Sequence, residues 1–371
     1  MQNKFFEEIK GRFGFGCMRL PMRGEQVDLQ QFGQMVDAFM AAGLNYFDTA
    51  QVYIGGQSEK ALKACLTSRY PRESFVLTDK LSGSCFHSES DIRPFFQSQL
   101  DACGVEYFDF YLMHAQNARN FVKYKECRAY ETAFQLKKEG KVRHVGISFH
   151  DSAETLDRIL TEYPEIECVQ IQFNYVDYDD PLVQSHKVYE TAVKHGKPVI
   201  VMEPVKGGKL IALPEKAQAL FDALHGGSNA SYALRFAANF DNMMMVLSGM
   251  SDMAQMEENL SFMVEPQKLT EAETDVIFQV RDLFREQGLI ACTACRYCVD
   301  GCPKQIPIPD LFSVMNAVTR QEPGNHEADY EALTENRGCA SDCIKCGACE
   351  RICPQQLPIR KLLEKIAWDF D

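Results

Sequence analysis

The 371-residue sequence contains no stretch approaching the roughly 18 consecutive apolar residues that a membrane-spanning helix needs. Its opening residues, MQNKFFEEIKGRFGFG, carry neither an apolar core segment nor a small-residue cleavage site, so no signal peptide is expected and the expected location is cytoplasmic. Positive charge is scarce as well. With 39 Lys and Arg against 52 Asp and Glu, the formal net charge is −13. Nucleic-acid binding depends on clustered cations against phosphate and is not expected. The acidic stretch from Glu322 to Glu335 reads as a solvated surface loop.

Cysteine, by contrast, is plentiful, at 15 residues. In a small secreted chain such a number would imply a disulfide framework; in a large chain expected in a reducing compartment it points to metal or redox chemistry. Eight of the cysteines fall in two runs near the C-terminal end. Cys17, Cys65, Cys85, Cys103, Cys127, Cys168 and Cys339 lie outside the runs, and most read as reduced core thiols.

From residue 12 to about 250, short apolar runs alternate with longer helical patterns. The runs are RFGFGCM (12–18), LNYFD (44–48), FVLTDK (75–80), FDFYLMH (108–114), VRHVGIS (142–148), CVQIQF (168–173), VIVME (199–203) and MMVLSG (244–249). Near-continuous apolar strands are what a parallel sheet covered on both faces produces. Eight strand–helix units over this length have the size of a (β/α)₈ barrel, though a doubly wound sheet gives the same alternation. The polar residues favour the barrel. Asp48, Lys80, His114, Ser148 and Glu203 sit at or just after successive strand ends, which in a barrel converge on one mouth. After about residue 285 strand signals stop, and Cys-Pro runs with short amphipathic helices take over. The expected division is therefore a barrel over 1–285 and a small, mainly helical domain over 286–371.

The stretch NYFDTAQVYIGGQSEKAL resembles the aldo-keto reductase superfamily, and the resemblance continues through FFQSQLDACGVEYFDFYLMH, GKVRHVGIS and VIVMEP, covering residues 12 to about 262. It implies a catalytic set of Asp48, Tyr53, Lys80 and His114. The chemistry of such a set can be argued directly. Reducing an aldehyde or ketone to an alcohol, or the reverse, needs a proton moved at the carbonyl oxygen, and Tyr53 is the expected general acid and base. Its phenol, ordinarily near 10, must come closer to neutrality, and the Lys80 ammonium is expected to lower it. Asp48 would pair with Lys80, and His114 would orient the carbonyl oxygen.

The resemblance further implies a nicotinamide cofactor, NAD(H) or NADP(H). Gly16, Cys17, Met18 and Asp48 would lie on its nicotinamide side, Ser148 and Gln170 at its carboxamide, and Gln255, Glu258 and Asn259 at the adenosine end. Met202 stands where the family usually stacks an aromatic ring. The cations with which many relatives hold a 2′-phosphate are replaced by Gly249 and Gln255, so NADH is expected to bind at least as well as NADPH.

The cysteine runs each read C-x₂-C-x₂-C-x₃-C-P: Cys292, Cys295, Cys298, Cys302 and Cys343, Cys346, Cys349, Cys353. This resembles the bacterial ferredoxin run for [4Fe–4S] clusters, whose fourth cysteine serves the other cluster. Two clusters are expected, one on Cys292, Cys295, Cys298 and Cys353, the other on Cys343, Cys346, Cys349 and Cys302, with Cys339 a bystander. Zinc, the competing metal, usually takes two separated Cys pairs. The likeness extends to CPKQIPIPDLF and CPQQLPIRKLL, 51 residues apart, as a duplicated half-domain would be.

The expected activity is a nicotinamide-dependent carbonyl reductase or alcohol dehydrogenase with an appended two-cluster domain, acting on a small carbonyl or alcohol. The alternatives are an electron-transfer protein coupling the nicotinamide cofactor to a redox partner protein, and a regulatory barrel with little turnover. The complete set of four residues argues against the last, and the missing flavin fingerprint against the second. The sequence leaves open the substrate, the oligomeric state, and whether the clusters transfer electrons or hold structure.

Overall fold

All eight apolar runs form strands: β1 (Phe13–Gly16), β2 (Tyr46–Asp48), β3 (Val76–Leu81), β4 (Phe108–Gln116), β5 (Val142–Phe149), β6 (Cys168–Gln172), β7 (Val199–Met202) and β8 (Met243–Ser248). The computed structural model describes residues 3–371. Every neighbouring pair of strands runs parallel, and β1 pairs with both β2 and β8, which closes the barrel. The doubly wound alternative is thereby excluded. A two-stranded hairpin, Met22–Arg23 with Gln26–Val27, precedes the first helix and was not legible in the sequence.

The helices form where cap and apolar spacing agree. In Leu29–Ala41, Asp28 accepts from the Gln30 and Gln31 amides, and Phe32, Met35, Val36 and Phe39 recur at the three-to-four spacing of one buried face. That face meets the outer side of the sheet, with Phe15–Phe32 and Phe39–Phe47 ring centroids 5.6 and 5.2 Å apart. The barrel interior is filled by Ile9, Tyr46, Phe110, Leu112, Met244 and their neighbours, with Phe5 and Phe6 packed beneath them.

The segment Asn3–Ile9 closes the N-terminal end of the barrel. Asn3 donates to the carbonyls of Gly11 and Met244, at 3.1 and 2.9 Å. His144, reaching down from β5, sits between Glu8 and Glu167 at 2.7 and 2.8 Å. Burial opposes its protonation, but the hydrogen bonds to Glu167 and Glu8 outweigh it and hold its pKa above the ordinary 6.5. A group raised on folding contributes stability fully below its unfolded value, and that stability is lost as pH rises through the folded value. The fold is therefore expected to lose stability as pH rises from about 6.5 upward. His144→Gln should flatten this slope in denaturation midpoints read across pH.

The chain divides into two units. The first comprises the residues up to Val205 with Gly227–Thr274, the second Lys206–Gly226 with Asp275–Asp371. The expected boundary at 285/286 falls about ten residues later than this division. The second unit also takes a segment from after β7. Close packing of its own backbone holds that segment: Gly207, at φ +64°, lies so near Thr293 that a Cβ there would sit 2.7 Å from the Thr293 carbonyl oxygen.

The remainder of the second unit is helical and internally duplicated. Helices Tyr297–Asp300 and Ile308–Thr319 are matched 51 residues on by Ala348–Ile352 and Ile359–Phe370. Left-handed backbone recurs at the same offset, at Ala294 and Lys345, Arg296 and Gly347, and Gln305 and Gln356. Its core joins Ile306, Leu311 and Phe312 of one half to Ile359, Leu363 and Ile366 of the other.

Candidate functional sites

The strand register brings the expected catalytic residues to the C-terminal mouth of the barrel. Asp48 ends β2, Lys80 lies one residue before the end of β3, and His114 lies near the end of β4. Tyr53 opens the short 3₁₀ turn Tyr53–Gly56, whose Ile54, Gly55 and Gly56 all have positive φ. That sharp reversal returns the chain over the mouth. Asp48, Tyr53, Lys80 and His114 are 3, 8, 0 and 7% exposed, so all four are screened from water.

Lys80 organises the group. Its Nζ reaches Asp48 Oδ1 at 2.6 Å, the Thr49 carbonyl at 2.7 Å and the Tyr53 hydroxyl at 3.1 Å. An ammonium has three donors, and each has a partner. The other Asp48 oxygen accepts from Gln170 Nε2 at 3.0 Å. The His114 ring stands edge-on to Tyr53 with centroids 6.1 Å apart, and its Nδ1 lies 2.7 Å from Ser82 Oγ.

The electrostatics correct one expectation. Lys80 was expected to bring the Tyr53 phenol down toward neutrality. Burial, followed by the carboxylates of Asp48 and Asp79, instead pushes it well above its ordinary value of 10. Asp48, which pairs with the same ammonium, adds its own negative charge to the effect of burial, and Tyr53 is held protonated. His114 is pushed well below 6.5 by burial and by Lys80, so its imidazole is neutral. Burial raises Asp48 too, against the pull of Lys80 and Gln170.

Behind Lys80 lies a buried group that the sequence did not reveal. Asp79 Oδ1 accepts the Lys80 amide at 2.7 Å, and the Asp79 carboxyl, the Glu59 carboxyl and the Cys103 thiol lie within 4.8 Å of one another. Burial raises both carboxyls, and the repulsion between them raises Asp79 further. Gln99 ties the group to the strand by donating to the Lys80 carbonyl at 3.0 Å.

The expected cofactor residues are distributed around the same mouth. Gly16 ends β1 opposite Asp48, and the Cys17 amide donates to the Asp48 carbonyl at 2.8 Å. Cys17 is buried, while Met18 and Met202 are half-exposed. Ser148 pairs in register with Gln170, and its hydroxyl accepts the Ala115 amide at 2.8 Å. Gln170 spends its amide on Asp48. At the far end, Asn259 is buried and donates to Ser248 at 3.1 Å, whereas Gln255 and Glu258 are exposed.

Two features at that end were missed. Arg19 packs its stem against Gly249, where a Cβ would sit 3.4 Å from the Arg19 Cβ, and its guanidinium lies 4.0 Å from Glu203. Asp252 caps the helix Met253–Met263 by accepting from the Gln255 amide at 2.8 Å.

In the second unit the eight cysteines fall into two groups. Cys292, Cys295, Cys298 and Cys353 line one cavity. Cys302, Cys343, Cys346 and Cys349 line another. Each cavity thus draws three thiols from one run and the fourth from the other. Cys339 lines neither; its thiol lies 3.3 Å from Asp342 and 3.2 Å from Ser341. Burial and then the neighbouring Cys295, Cys292 and Cys353 sulfurs push Cys298 upward, a crowding of thiols that a cationic metal core offsets. Four thiols around each space fit the donor set of a [4Fe–4S] cluster. Beside the first cavity lies buried Lys206, whose Nζ is 3.3 Å from Gln355 Oε1, a cation that sequence spacing gave no way to find.

Comparison with known proteins places the two parts of the sequence in two families. The aldo/keto reductase family model matches residues 12–281. The chain belongs to the aldo/keto reductase family. A 4Fe-4S dicluster domain matches residues 291–357, so this family member carries an appended iron–sulfur domain. An aldo-keto reductase of Mycobacterium avium is 28% identical over 241 residues, 64% of this chain and 78% of that protein. Among solved structures, the holo form of aldo-keto reductase AKR11C1 from Bacillus halodurans superposes with a TM-score of 0.62 at 23% identity, covering 76% of this chain and 95% of that one. An aldo-keto reductase from Klebsiella pneumoniae in complex with NADPH does so with a TM-score of 0.61 at 17% identity, covering 76 and 96%. At these identities the structures show the shared fold. No described helix is long and apolar enough to cross a membrane.

Proposed function

We propose that this chain is a nicotinamide-dependent carbonyl reductase in which Tyr53 is the general acid, and that its second unit holds two [4Fe–4S] clusters. The observation that carries the reading is the single Lys80 ammonium placed simultaneously on Asp48, the Thr49 carbonyl and the Tyr53 hydroxyl. When bound, the nicotinamide supplies the hydride.

The chain's own residues supply the proton. A buried phenol that stays protonated at neutral pH arrives charged with the proton that reduction consumes. As the proton leaves, negative charge develops on the Tyr53 oxygen 3.1 Å from Lys80 Nζ. The ammonium is the cation nearest that charge, and its pull on the phenolate acts against the burial that raises the phenol. In the tautomer in which Nδ1 accepts from the Ser82 hydroxyl, the neutral His114 ring carries its proton on Nε2, where it can donate to a carbonyl oxygen. Exclusion of water from the four residues strengthens each of these interactions.

Ser148 and Gln170, paired in register at the mouth, and Gly16, where a Cβ would stand 3.4 Å from the Ser248 carbonyl oxygen, support a nicotinamide ring there. The Klebsiella relative was solved with NADPH, which supports a nicotinamide cofactor here. The local charges favour the form without the extra phosphate. Arg19 faces Glu203, and Asp252 already occupies the N-terminus of the adenosine-side helix, so a 2′-phosphate would meet a carboxylate.

The test is anaerobic turnover of purified protein with NADH and with NADPH, across a panel of aldehydes and ketones and with a low-potential dye in place of the carbonyl. Carbonyl-dependent oxidation, with NADH binding at least as tightly as NADPH, is expected. A preference for NADPH above about tenfold, roughly 1.4 kcal/mol, contradicts the cofactor assignment. Oxidation with the dye alone contradicts the carbonyl assignment and favours the electron-transfer alternative.

A further inference from the structure

The duplication of the second unit lets each position around one cysteine run be compared with its counterpart 51 residues away. Around the first run, residues 292–314, Arg296 and Lys304 are balanced by Asp300 and Asp310. Around the second, residues 343–365, Lys345, Arg351, Arg360, Lys361 and Lys365 outnumber Glu350 and Glu364, five against two. Asp300 and Asp310 have Arg351 and Lys361 as counterparts. Pro309 and Val314, both buried, are matched by Arg360 and Lys365, both exposed. A locally cationic face in a chain of net charge −13 is an asymmetry that the repeat itself does not require.

Apolar exposure follows the same side. Buried Thr293 has Ile344, 58% exposed, as its counterpart, and Ile352 is 52% exposed. Cys346 is exposed, whereas every thiol around the first cavity is at least partly covered. Arg351 donates to the Cys346 carbonyl at 2.9 Å, while Lys345 pairs with Glu364 and Arg360 with Glu350, each at 2.7 Å, so Arg351 sits beside the chain that lines the second cavity. Lys361, Lys365 and Trp368 recur at four and three residues along Ile359–Phe370, on the face opposite Ile359, Leu363 and Ile366. Trp368 is 90% exposed and is the sole tryptophan.

We propose that this face docks a small acidic protein that carries single electrons, and that one electron passes between it and the cluster held by Cys302, Cys343, Cys346 and Cys349. The proposal rests on the two-cluster reading. The occupant follows from charge complementarity: exposed cations around a few apolar side chains, beside the most exposed thiol of either set, fit a partner with an acidic surface. The exchange is balanced. The reduced carrier loses one electron, the oxidised cluster gains it, and no proton or bond moves.

The test uses the full holoprotein under anaerobic conditions, its iron content measured first. The probe is a small acidic bacterial two-cluster ferredoxin, reduced with dithionite and desalted; the same ferredoxin with its surface carboxylates amidated, likewise reduced, is the control. Binding is read from Trp368 fluorescence and electron transfer by rapid mixing. Ferredoxin is expected to perturb the tryptophan, and its second-order rate to fall at least tenfold between about 20 and 500 mM salt, as steered association does. Lys361→Glu with Lys365→Glu should lower the low-salt rate by a similar factor at unchanged iron content.

A salt-independent rate in the parent protein, or an equally fast reaction with the amidated ferredoxin, overturns the proposal whatever the variant does. Salt-sensitive self-association through the same lysines overturns it in favour of a second copy of this chain. Protein lacking about eight iron per chain overturns the cluster reading instead.

Discussion

Tyr53→Phe should lower carbonyl turnover by about 10²–10⁴-fold while leaving nicotinamide affinity and iron content at parental values. Phenylalanine keeps the ring edge-on to His114, with centroids 6.1 Å apart in the parent, and removes only the hydroxyl that Lys80 meets at 3.1 Å. Because burial holds the Tyr53 phenol well above 10, the loss should not be recovered by lowering the pH: the missing element is the acid itself. Lys80→Met should cost a similar factor for a different reason. The phenolate then forms without a cation beside it, and the Asp48 carboxylate is left buried with Gln170 alone. Breaking a buried pair costs about 3–5 kcal/mol of stability, so this variant should also melt earlier, which Tyr53→Phe should not. Steady-state kinetics with thermal midpoints on both variants separate the two effects. Near-normal turnover in Tyr53→Phe would require a different proton donor.

Cys353→Ser should deplete the cluster of the other run. Protein made without oxygen is expected to carry about eight iron and eight acid-labile sulfides per chain. Cys353 follows the second run in sequence but lines the cavity of Cys292, Cys295 and Cys298. Its loss should therefore bring iron toward about four per chain, and the signal that remains should be the cluster of Cys302, Cys343, Cys346 and Cys349. Cys302→Ser should give the complementary spectrum, and Cys339→Ser, which alters a thiol outside both cavities, should keep both clusters. Loss of the cluster on Cys343, Cys346 and Cys349 in Cys353→Ser would mean that each run is self-contained.

The barrel was legible because its information is local. Each strand is a run of apolar residues, and the polar residue ending it is read directly, so Asp48, Lys80, His114 and Ser148 were all placeable at one mouth. The cysteine runs were legible for the same reason, since their spacing is itself the geometry. What stayed hidden depends on chain segments far apart in sequence. Asn3–Ile9 mixes Phe5, Phe6 and Ile9 with charged residues in no strand or helix period, and only closure of the barrel makes it a plug reaching Met244. Ser82 is one serine among many until β3 and β4 place it 2.7 Å from His114. Arg19 becomes a neighbour of Gly249, and Lys206 of Gln355, through contacts across 230 and 149 positions. The Tyr53 pKa was misjudged on the same grounds. A neighbouring lysine can be read from a motif, but complete burial cannot.

The most direct test of the central claim, that the barrel transfers hydride to a carbonyl with the clusters as bystanders to that step, is isotopic. Holoprotein is mixed anaerobically with one equivalent of (4R)- or (4S)-deuterated NADH and an active carbonyl substrate, and the product carbinol and the cluster spectrum are read together. Deuterium on the carbinol carbon from one of the two labelled forms, one equivalent per NADH consumed and with the cluster spectrum unchanged, is the expected result. NADH consumed without deuterium in the product, its electrons appearing as reduced clusters, would contradict it.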